Sequence, residues 1–373
     1  MASDYKININ SPSIGDEELE KVTECIKSNW ISSLGPYVKN FEEQFASYNG
    51  VHFGVSTNSG TTALHLALAS LDIKSGDEVI MPDFTMIATI NAVEYLGAKA
   101  VLVDADVKTW NIDITKIEEK ITDKTKAIMP VHIYGHPSDM EPILKLAQKY
   151  NLKVIEDAAE AHGAEYKGKK AGSIGDVGCF SFYANKIITT GEGGMCITDD
   201  KDLNETMSWL RAHAFGRDGK HFWHERLGYG YRLSALQAAV GLGQLSKIDY
   251  FVRRRRERAK LYNDLLSDLV PDKIDTPVEM SWAKNVYWMY SIMTKNQKER
   301  DGVMEHLEKN GIESRTFFYP IHKQPFYRER YSGERYPNSD YISERGMNLP
   351  SGNTTTDDEI HRVVQVIRDY FTS

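Results

Sequence analysis

The sequence predicts an α/β protein: a mainly parallel sheet covered by helices on both faces, followed by a smaller α+β unit. Two patterns carry that expectation. Between residues 51 and 200, short apolar runs alternate with helical stretches, as in successive βα units. From about residue 285 the order becomes strand, helix, strand, and then a loop rich in aromatics and proline. No internal repeat, low-complexity segment or flexible linker interrupts either part.

Residues 51–56 read as a strand and 60–71 as an apolar helix with good helix formers. Residues 78–81 read as a strand and 85–96 as a helix. The strand signal repeats at 100–103, 127–131 and 153–156, with helical 140–150 before the last of these. Residues 178–183 and 195–198 read as strands flanking a glycine-rich turn. A long helical region, 234–269, breaks near Asp249 and leads out of the first unit. Residues 287–293, 301–309 and 311–316 read as strand, helix and strand. The expected division is a large domain with an N-terminal arm, 1–250, and a small domain, 251–373, that begins within the long helix.

At 373 residues the chain is long enough for two such units. Charged residues at 26% and apolar ones at 41% fit an ordinary globular composition. A net charge of −8 argues against a general nucleic-acid or anionic-membrane surface. The basic run Arg253 to Arg256 sits in a helical pattern and reads as a solvated or subunit-facing helix. Cys25, Cys179 and Cys196 have no metal-ligand spacing, and a sparse, odd set points to a reducing compartment. No apolar signal core opens the chain and no run is long enough to span a bilayer, so a cytoplasmic protein is expected.

Three segments carry candidate chemistry. Lys186 lies in SFYANKIITTGEGG, residues 181–194, fenced by aromatic and small residues and by glycines. An amine held in a pocket has its pKa lowered from about 10.4 and attacks aldehydes. The competing reading is a surface lysine beside a turn. Asp157, in KVIEDAAEAHG (153–163), falls just past a strand's carboxyl end, where open α/β sheets place ligands. A buried carboxylate there needs a cation, and a protonated pyridine nitrogen fits. The competing reading is a helix N-cap. In TNSGTTALHLAL (57–68), small polar residues lead into a helix, which suits a phosphate, or simple capping. Together the three suggest pyridoxal phosphate chemistry more specifically than any one does. No Gly-x-Gly-x-x-Gly follows the first strand, which disfavours a Rossmann dehydrogenase.

With WISSLGPYVKNFE (30–42), PDFTMIAT (82–89), and LGYGYR (227–232), these segments form an ordered series along almost the whole chain. The chain resembles the nucleotide-sugar aminotransferases of the DegT family, pyridoxal phosphate enzymes of the aspartate-aminotransferase fold (fold type I). The resemblance implies a large domain with a mainly parallel seven-stranded sheet and a homodimer whose active sites are shared between subunits. It implies that Lys186 is the Schiff-base lysine and proton shuttle, holding the cofactor as an internal aldimine, with pyridoxamine phosphate as the intermediate. Asp157 is implied to keep the pyridine nitrogen protonated. Glu160 is implied to lie near the ring hydroxyl, where many relatives carry glutamine. Gly60, Thr61 and Ser181 are implied to hold the phosphate, and Met86 stands where relatives often place an aromatic ring over the cofactor. Gly230 departs from the pattern: relatives often have an asparagine there that reaches the phosphate of the neighbouring subunit's cofactor. A backbone amide, water or nearby residue has to replace that contact.

Residues 317–327, FFYPIHKQPFY, and 181–194 look most like the members that act on GDP-4-keto-6-deoxy-D-mannose with L-glutamate as amino donor. No composition or spacing argument selects GDP over dTDP or UDP. A related transaminase for another keto-sugar and a non-catalytic pyridoxal-phosphate-binding regulatory protein are the alternatives. A dehydratase on the same fold is disfavoured by Lys186, because such relatives often carry histidine there. A dicarboxylate and a sugar diphosphate call for cationic anchors, and Arg217 and Arg315 are the candidates, each against a surface ion pair. Phe317, Tyr319 and His322 are candidates for the nucleotide sugar, against a structural aromatic loop. Trp30 either lines the substrate entrance or caps the core. His65 and His162 read as structural histidines, with no metal spacing beside them.

Overall fold

The computed structural model describes residues 6–216, 220 and 222–372. Helices α1 (Asp16–Lys27) and α2 (Pro36–Tyr48) precede the first sheet. The next elements are β1 (Phe53–Thr57), α3 (Gly60–Ser70), β2 (Glu78–Pro82), α4 (Ile87–Glu94), β3 (Lys99–Val103), β4 (Thr125–Ile128), α5 (Met140–Tyr150) and β5 (Lys153–Asp157). A short hairpin, β6 (Glu165–Tyr166) and β7 (Lys169–Lys170), is followed by β8 (Val177–Ser181), β9 (Gly194–Thr198), α6 (Lys201–Arg211), α7 (Ala235–Leu245) and α8 (Ile248–Leu266). The chain ends with β10 (Ile274–Asp275), β11 (Ala283–Lys284), β12 (Tyr290–Thr294), α9 (Gln297–Lys309), β13 (Arg315–Thr316), α10 (Pro337–Arg345), β14 (Gly346–Leu349) and α11 (Asp357–Thr372).

Seven strands form one sheet in the order β1-β9-β8-β5-β4-β2-β3. The pairs from β3 across to β8 are parallel, and β9 runs antiparallel to both β8 and β1. Every residue of β2, β8 and β9 is buried, as expected of strands covered on both faces. One cover is α3, whose residues from Ala63 to Ala69 are all buried, so the helix is apolar all round. On the other face, Phe41 and Phe45 of α2 meet Phe180 and Phe182 at ring distances of 4.9–5.1 Å. A four-stranded sheet, β10-β12-β14-β13, forms the second unit under α8, α9 and α11. The N-terminal arm lies along it: the Lys6 and Ile7 amides donate to Gly311 O, and Ile9 O accepts from Ser351 N.

Several expected boundaries move for identifiable reasons. The first strand begins at Phe53 because Val51 N bonds back to Ala46 O and closes α2. Helix α4 starts only at Ile87, because Met86 is its extended N-cap. The break in the long helix falls at Ser246 and Lys247, leaving Asp249 in the first turn of α8, where its charge suits the helix dipole. Only Arg315–Thr316 of the expected 311–316 strand pairs, since Ile312 bridges Ile7 instead. The basic run of α8 is not wholly solvated: Arg255 and Arg258 turn inward and are buried. Among the described residues, no helix is long and apolar enough to cross a membrane.

Strand β5 brings two carboxylates to opposite faces, because adjacent strand residues alternate. Glu156 is fully buried and accepts from the amides of Gly172, Ile174 and Gly175 at 2.6–2.8 Å. His132 Nδ1 accepts from Ser138 N, so its Nε2–H donates to Glu156 Oε2 at 2.9 Å. Burial works to raise the Glu156 pKa, but His132 and the amides outweigh it and hold it below the usual value of 4.5. A depressed carboxylate stabilises the fold above its unfolded pKa, and that contribution is lost as pH falls through the folded value. Glu156→Gln is therefore expected to cost about 2–4 kcal/mol in urea unfolding at pH 7. The gap between wild type and variant should narrow on acidification below pH 4.5.

Candidate active site

The carboxyl ends of β2, β5 and β8 and the start of α3 converge on one cavity of about 270 Å³. Its walls include Gly60, Thr61, Met86, Asp157, Glu160, Ser181 and Lys186, seven of the residues singled out from the sequence. Tyr183, Asn185, Glu192, Trp288 and Phe318 complete much of the rest. A wider cleft of about 730 Å³ lies elsewhere, between α8 and residues 279–287, where Arg256 and Glu279 pair at 3.0 Å.

Asp157 ends β5 and is 5% exposed. Its Oδ2 accepts from Thr89 Oγ1 at 2.9 Å and its Oδ1 from Ala159 N at 3.2 Å. No helix begins after it, so it is not a helix N-cap. Burial pushes its pKa up, more strongly than Thr89, Ala159 and the charge of Lys186 pull it down. A buried carboxylate whose pKa burial has raised is one that a cationic partner would favour.

Lys186 is not a surface lysine: its side chain is 10% exposed. Its Nζ lies 3.6 Å from Glu160 Oε1 and 3.8 Å from the centre of the Trp288 ring. Burial lowers its pKa against the pull of Glu160 and Asp157. The segment 182–193 has no regular helix or strand, and a Lys186 N to Tyr183 O bond turns it. Glu160 Oε2 accepts from Tyr134 N at 2.8 Å, and Tyr134 takes a left-handed φ of 50° to present that amide. Burial pushes the Glu160 pKa up to about 7, partly offset by Lys186 and by Tyr134. The cavity thus holds a carboxyl group raised to about 7 beside an amine whose pKa burial has lowered.

The anion cradle is built from β1, α3 and β8. Ser59 caps α3 through its Oγ, which accepts from Thr62 N, while the Gly60 and Thr61 amides donate to no protein group among the described residues. A Cβ at Gly60 would sit 2.7 Å from Ser181 Cβ, so glycine is required for the helix end to meet the Ser181 hydroxyl. Two free amides at a helix start and a facing hydroxyl fit a phosphate. Met86, 46% exposed, lines the wall, and its Sδ accepts from Ala88 N at 3.0 Å.

The substrate candidates are not gathered here. Arg315 is on the surface, paired with Glu313 at 2.9 Å. Phe317 is a core residue, 1% exposed, packed on Tyr134 and Trp110 at ring distances of 4.9 and 5.0 Å. Its neighbour Phe318 is the one that faces the cavity. Tyr319 is 60% exposed and Trp30 is 51% exposed, the latter's ring lying against Gly35. Arg217 lies outside the described residues. Gly230 bridges Ala212 beside His213 and lies outside the cavity wall. Sequence reasoning missed Trp288 and Thr89. Thr89 closes the quoted PDFTMIAT segment, whereas nothing in the sequence around Trp288 marks it.

His322 locks the aromatic loop to the end of β2. Its Nδ1 lies 2.7 Å from Asp83 Oδ2, its amide donates to Asp83 Oδ1 at 2.9 Å, and its Nε2 lies 3.3 Å from Asp340. Asp83 is fully buried two residues before Thr85 and three before Met86 of the cavity wall.

Comparison with known proteins agrees with this layout. Residues 12–368 match the DegT/DnrJ/EryC1/StrS aminotransferase family. A GDP-perosamine synthase of Escherichia coli O157:H7 is 43% identical over 365 residues, covering 98% of each chain. A GDP-perosamine synthase of Caulobacter vibrioides is 43% identical over 364 residues, covering 97% of each chain. Among solved structures, Spr1654 of Streptococcus pneumoniae in its PLP form superposes with a TM-score of 0.91 at 26% identity, covering 98% of each chain. The fold and site define an enzyme, an aminotransferase. The chain belongs to the DegT/DnrJ/EryC1/StrS aminotransferase family.

The His322 lock has a pH signature. Burial works to lower the histidine pKa from 6.5, but Asp83 and Asp340 outweigh it and the net shift is upward. A raised pKa gives stability that is complete below the unfolded value and is lost as pH rises through the folded one. The stability gap between wild type and His322→Ala, read by urea unfolding, should be widest near pH 6 and shrink toward pH 9. Hydrogen exchange of residues 317–323 should quicken over the same interval.

Proposed function

We propose that this aminotransferase moves an amino group from L-glutamate to C4 of GDP-4-keto-6-deoxy-D-mannose, giving GDP-perosamine and 2-oxoglutarate. The cofactor is pyridoxal 5'-phosphate. The observation that carries the reading is the convergence in one cavity of a buried amine, a buried cation-seeking carboxylate and an amide-and-hydroxyl anion cradle. Relatives that bear the GDP-perosamine synthase name, at 43% identity over nearly the whole chain, support the sugar and nucleotide.

When bound, pyridoxal phosphate supplies an aldehyde electrophile and an electron-accepting ring. The residues of this chain do the rest. The Gly60 and Thr61 amides and the Ser181 hydroxyl would hold its phosphate, and Asp157 would face its ring nitrogen. Thr89 and the Ala159 amide keep the Asp157 carboxylate aimed. Lys186 would anchor the aldehyde through Nζ. Its lowered pKa leaves more of it neutral, as a nucleophile and a general base must be. Once displaced by an incoming amine, Nζ would take the proton from the donor's α-carbon and return it to the cofactor's aldehyde-derived carbon, and in the second half-reaction would move a proton the opposite way, onto C4 of the sugar. Glu160, near neutrality and 3.6 Å away, is placed to exchange a proton with that amine. Trp288, its ring 3.8 Å from Nζ, covers one side of the amine, and Phe318 lines the same cavity.

The cavity wall carries Asp157, Glu160 and Glu192 against a single cation, Lys186, among the described residues. A dicarboxylate and a sugar diphosphate need more positive charge than this wall supplies. That deficit supports a homodimer in which a second copy completes each site.

Lys186→Ala is expected to lower turnover by at least about 10³-fold and to abolish borohydride fixation of cofactor mass to the 186 peptide. Near-normal activity in that variant would end the proposal. With wild-type enzyme and L-glutamate, kcat/KM for the GDP-linked 4-keto sugar should exceed that for dTDP- and UDP-linked ketones by at least about tenfold. Preference for another nucleotide would reassign the substrate while leaving the chemistry in place.

A further inference from the structure

The basic run on α8 contains a residue whose surroundings are unlike those of a surface arginine. Arg255 occupies the stripe Phe251, Val252, Ala259 and Tyr262 that faces the core, and it is 1% exposed. Among the described residues, no carboxylate lies within ion-pair distance of it. A guanidinium buried without a counter-ion is costly unless its donors are all engaged. Four of its five N–H donors are engaged, in a fan. Nε donates to Asn353 Oδ1 at 2.8 Å, Nη1 to Trp288 O at 2.6 Å and to Ser351 O at 3.4 Å, and Nη2 to Asn10 Oδ1 at 3.3 Å.

Three of those partners turn their other ends to the same short stretch of chain. Asn10 Nδ2 donates to Asn185 O at 2.5 Å, Trp288 Nε1 to Asn185 O at 2.7 Å, and Asn353 Nδ2 to Ile187 O at 2.8 Å. The carbonyls on either side of Lys186 are thereby held by side chains from the N-terminal arm, from the segment before β12 and from the loop after β14. A side-chain amide has an acceptor end and a donor end, and binding one end fixes the other. With their oxygens committed to Arg255, Asn10 and Asn353 present N–H groups to the Lys186 loop. The same guanidinium fixes the backbone of Trp288, whose ring lies 3.8 Å from Lys186 Nζ. Residues 182–193 form no helix or strand, so beside the buried packing of Phe182, Ile187 and Ile188 these bonds restrain where the amine sits.

We infer that Arg255 is a positioning residue for Lys186: it orients Asn10, Asn353 and Trp288 so that they clamp the carbonyls flanking the lysine and hold the indole face against its amine. Arg255 touches neither the cavity nor its contents, and it acts through these three residues. The inference rests on the role given to Lys186 above.

The test uses full-length Arg255→Met, Arg255→Lys, Asn353→Ala and Asn10→Ala, loaded with cofactor and also freed of it. In the loaded Arg255→Met enzyme, kcat should fall at least tenfold, with KM for both substrates within twofold of wild type. The pH at which its visible absorbance titrates should move by half a unit or more. In the cofactor-free chain, acetylation of Lys186, read by peptide mass spectrometry against exposed Lys39, should change at least threefold in rate. That readout needs no turnover, so it stands even if the proposed substrates are wrong. Asn353→Ala and Asn10→Ala should shift every readout in the same direction by smaller amounts, and they carry the test if Arg255→Met does not fold. Arg255→Lys should not restore wild-type values, because one ammonium cannot span acceptors on Asn10, Trp288 and Asn353. A variant set that melts earlier but keeps kcat, titration and Lys186 labelling unchanged would reduce Arg255 to a core strut. Full rescue by lysine would show that charge alone suffices, and would overturn the orienting role.

Discussion

An amine and two carboxyl groups, Lys186, Asp157 and Glu160, share one cavity with little of any of them exposed, and the rest of the structure is arranged around keeping them there. Burial disfavours the charged form of each, raising the two acids and lowering the amine. Left alone, such groups would drag in water or loosen the loops that carry them. They stay because neighbours engage their polar atoms: Thr89 and the Ala159 amide on Asp157, the Tyr134 amide on Glu160, and the Trp288 face on Lys186. The strained backbone at Tyr134 belongs to that arrangement, since its left-handed turn delivers the amide to Glu160.

The fold supplies rigidity on one side of this group and adaptability on the other. Asp157 and Ser181 sit on strand ends, and the helix amides of Gly60 and Thr61 are fixed by the Ser59 cap. These positions follow from the ladder of parallel strands and are insensitive to side-chain detail. Lys186 instead rides an irregular segment. Its place depends on an aromatic layer beneath it, where Phe182 meets Phe41 and Phe45, and on the side chains that Arg255 collects above it. The role proposed for Lys186 calls for an arm that is defined without being locked into a ladder.

Electrostatics sets the limits of what the cavity wall of one chain offers. The cradle at α3 offers amides and a hydroxyl that suit one anion, and among the described residues the cavity wall holds no basic side chain other than Lys186. For the substrates proposed above, further positive charge has to come from outside that wall. Arg315, an attractive anchor in the sequence, is already paired with Glu313 on the surface. His322 is likewise engaged, spending its two nitrogens on Asp83 and Asp340 to fasten the loop that brings Phe318 to the cavity.

The sequence alone determined the parallel βα framework, because buried strands and all-apolar helices write their periodicity directly into residue order. It also marked Lys186, Asp157, Gly60, Thr61, Met86, Glu160 and Ser181, which lie in segments where chemistry-bearing residues depart from simple packing patterns, and the cavity holds all seven. The small unit was less legible. Strand β14 is four residues long and exists because β12 and β13 flank it, and Ile312 leaves its expected strand to pair with the N-terminal arm. The run of four arginines looked uniform until helix geometry turned Arg255 inward and Arg253 outward. Trp288 and Arg255 carry no local signal, since what each one does is set by residues more than 30 positions away that only the folded chain brings within hydrogen-bond reach.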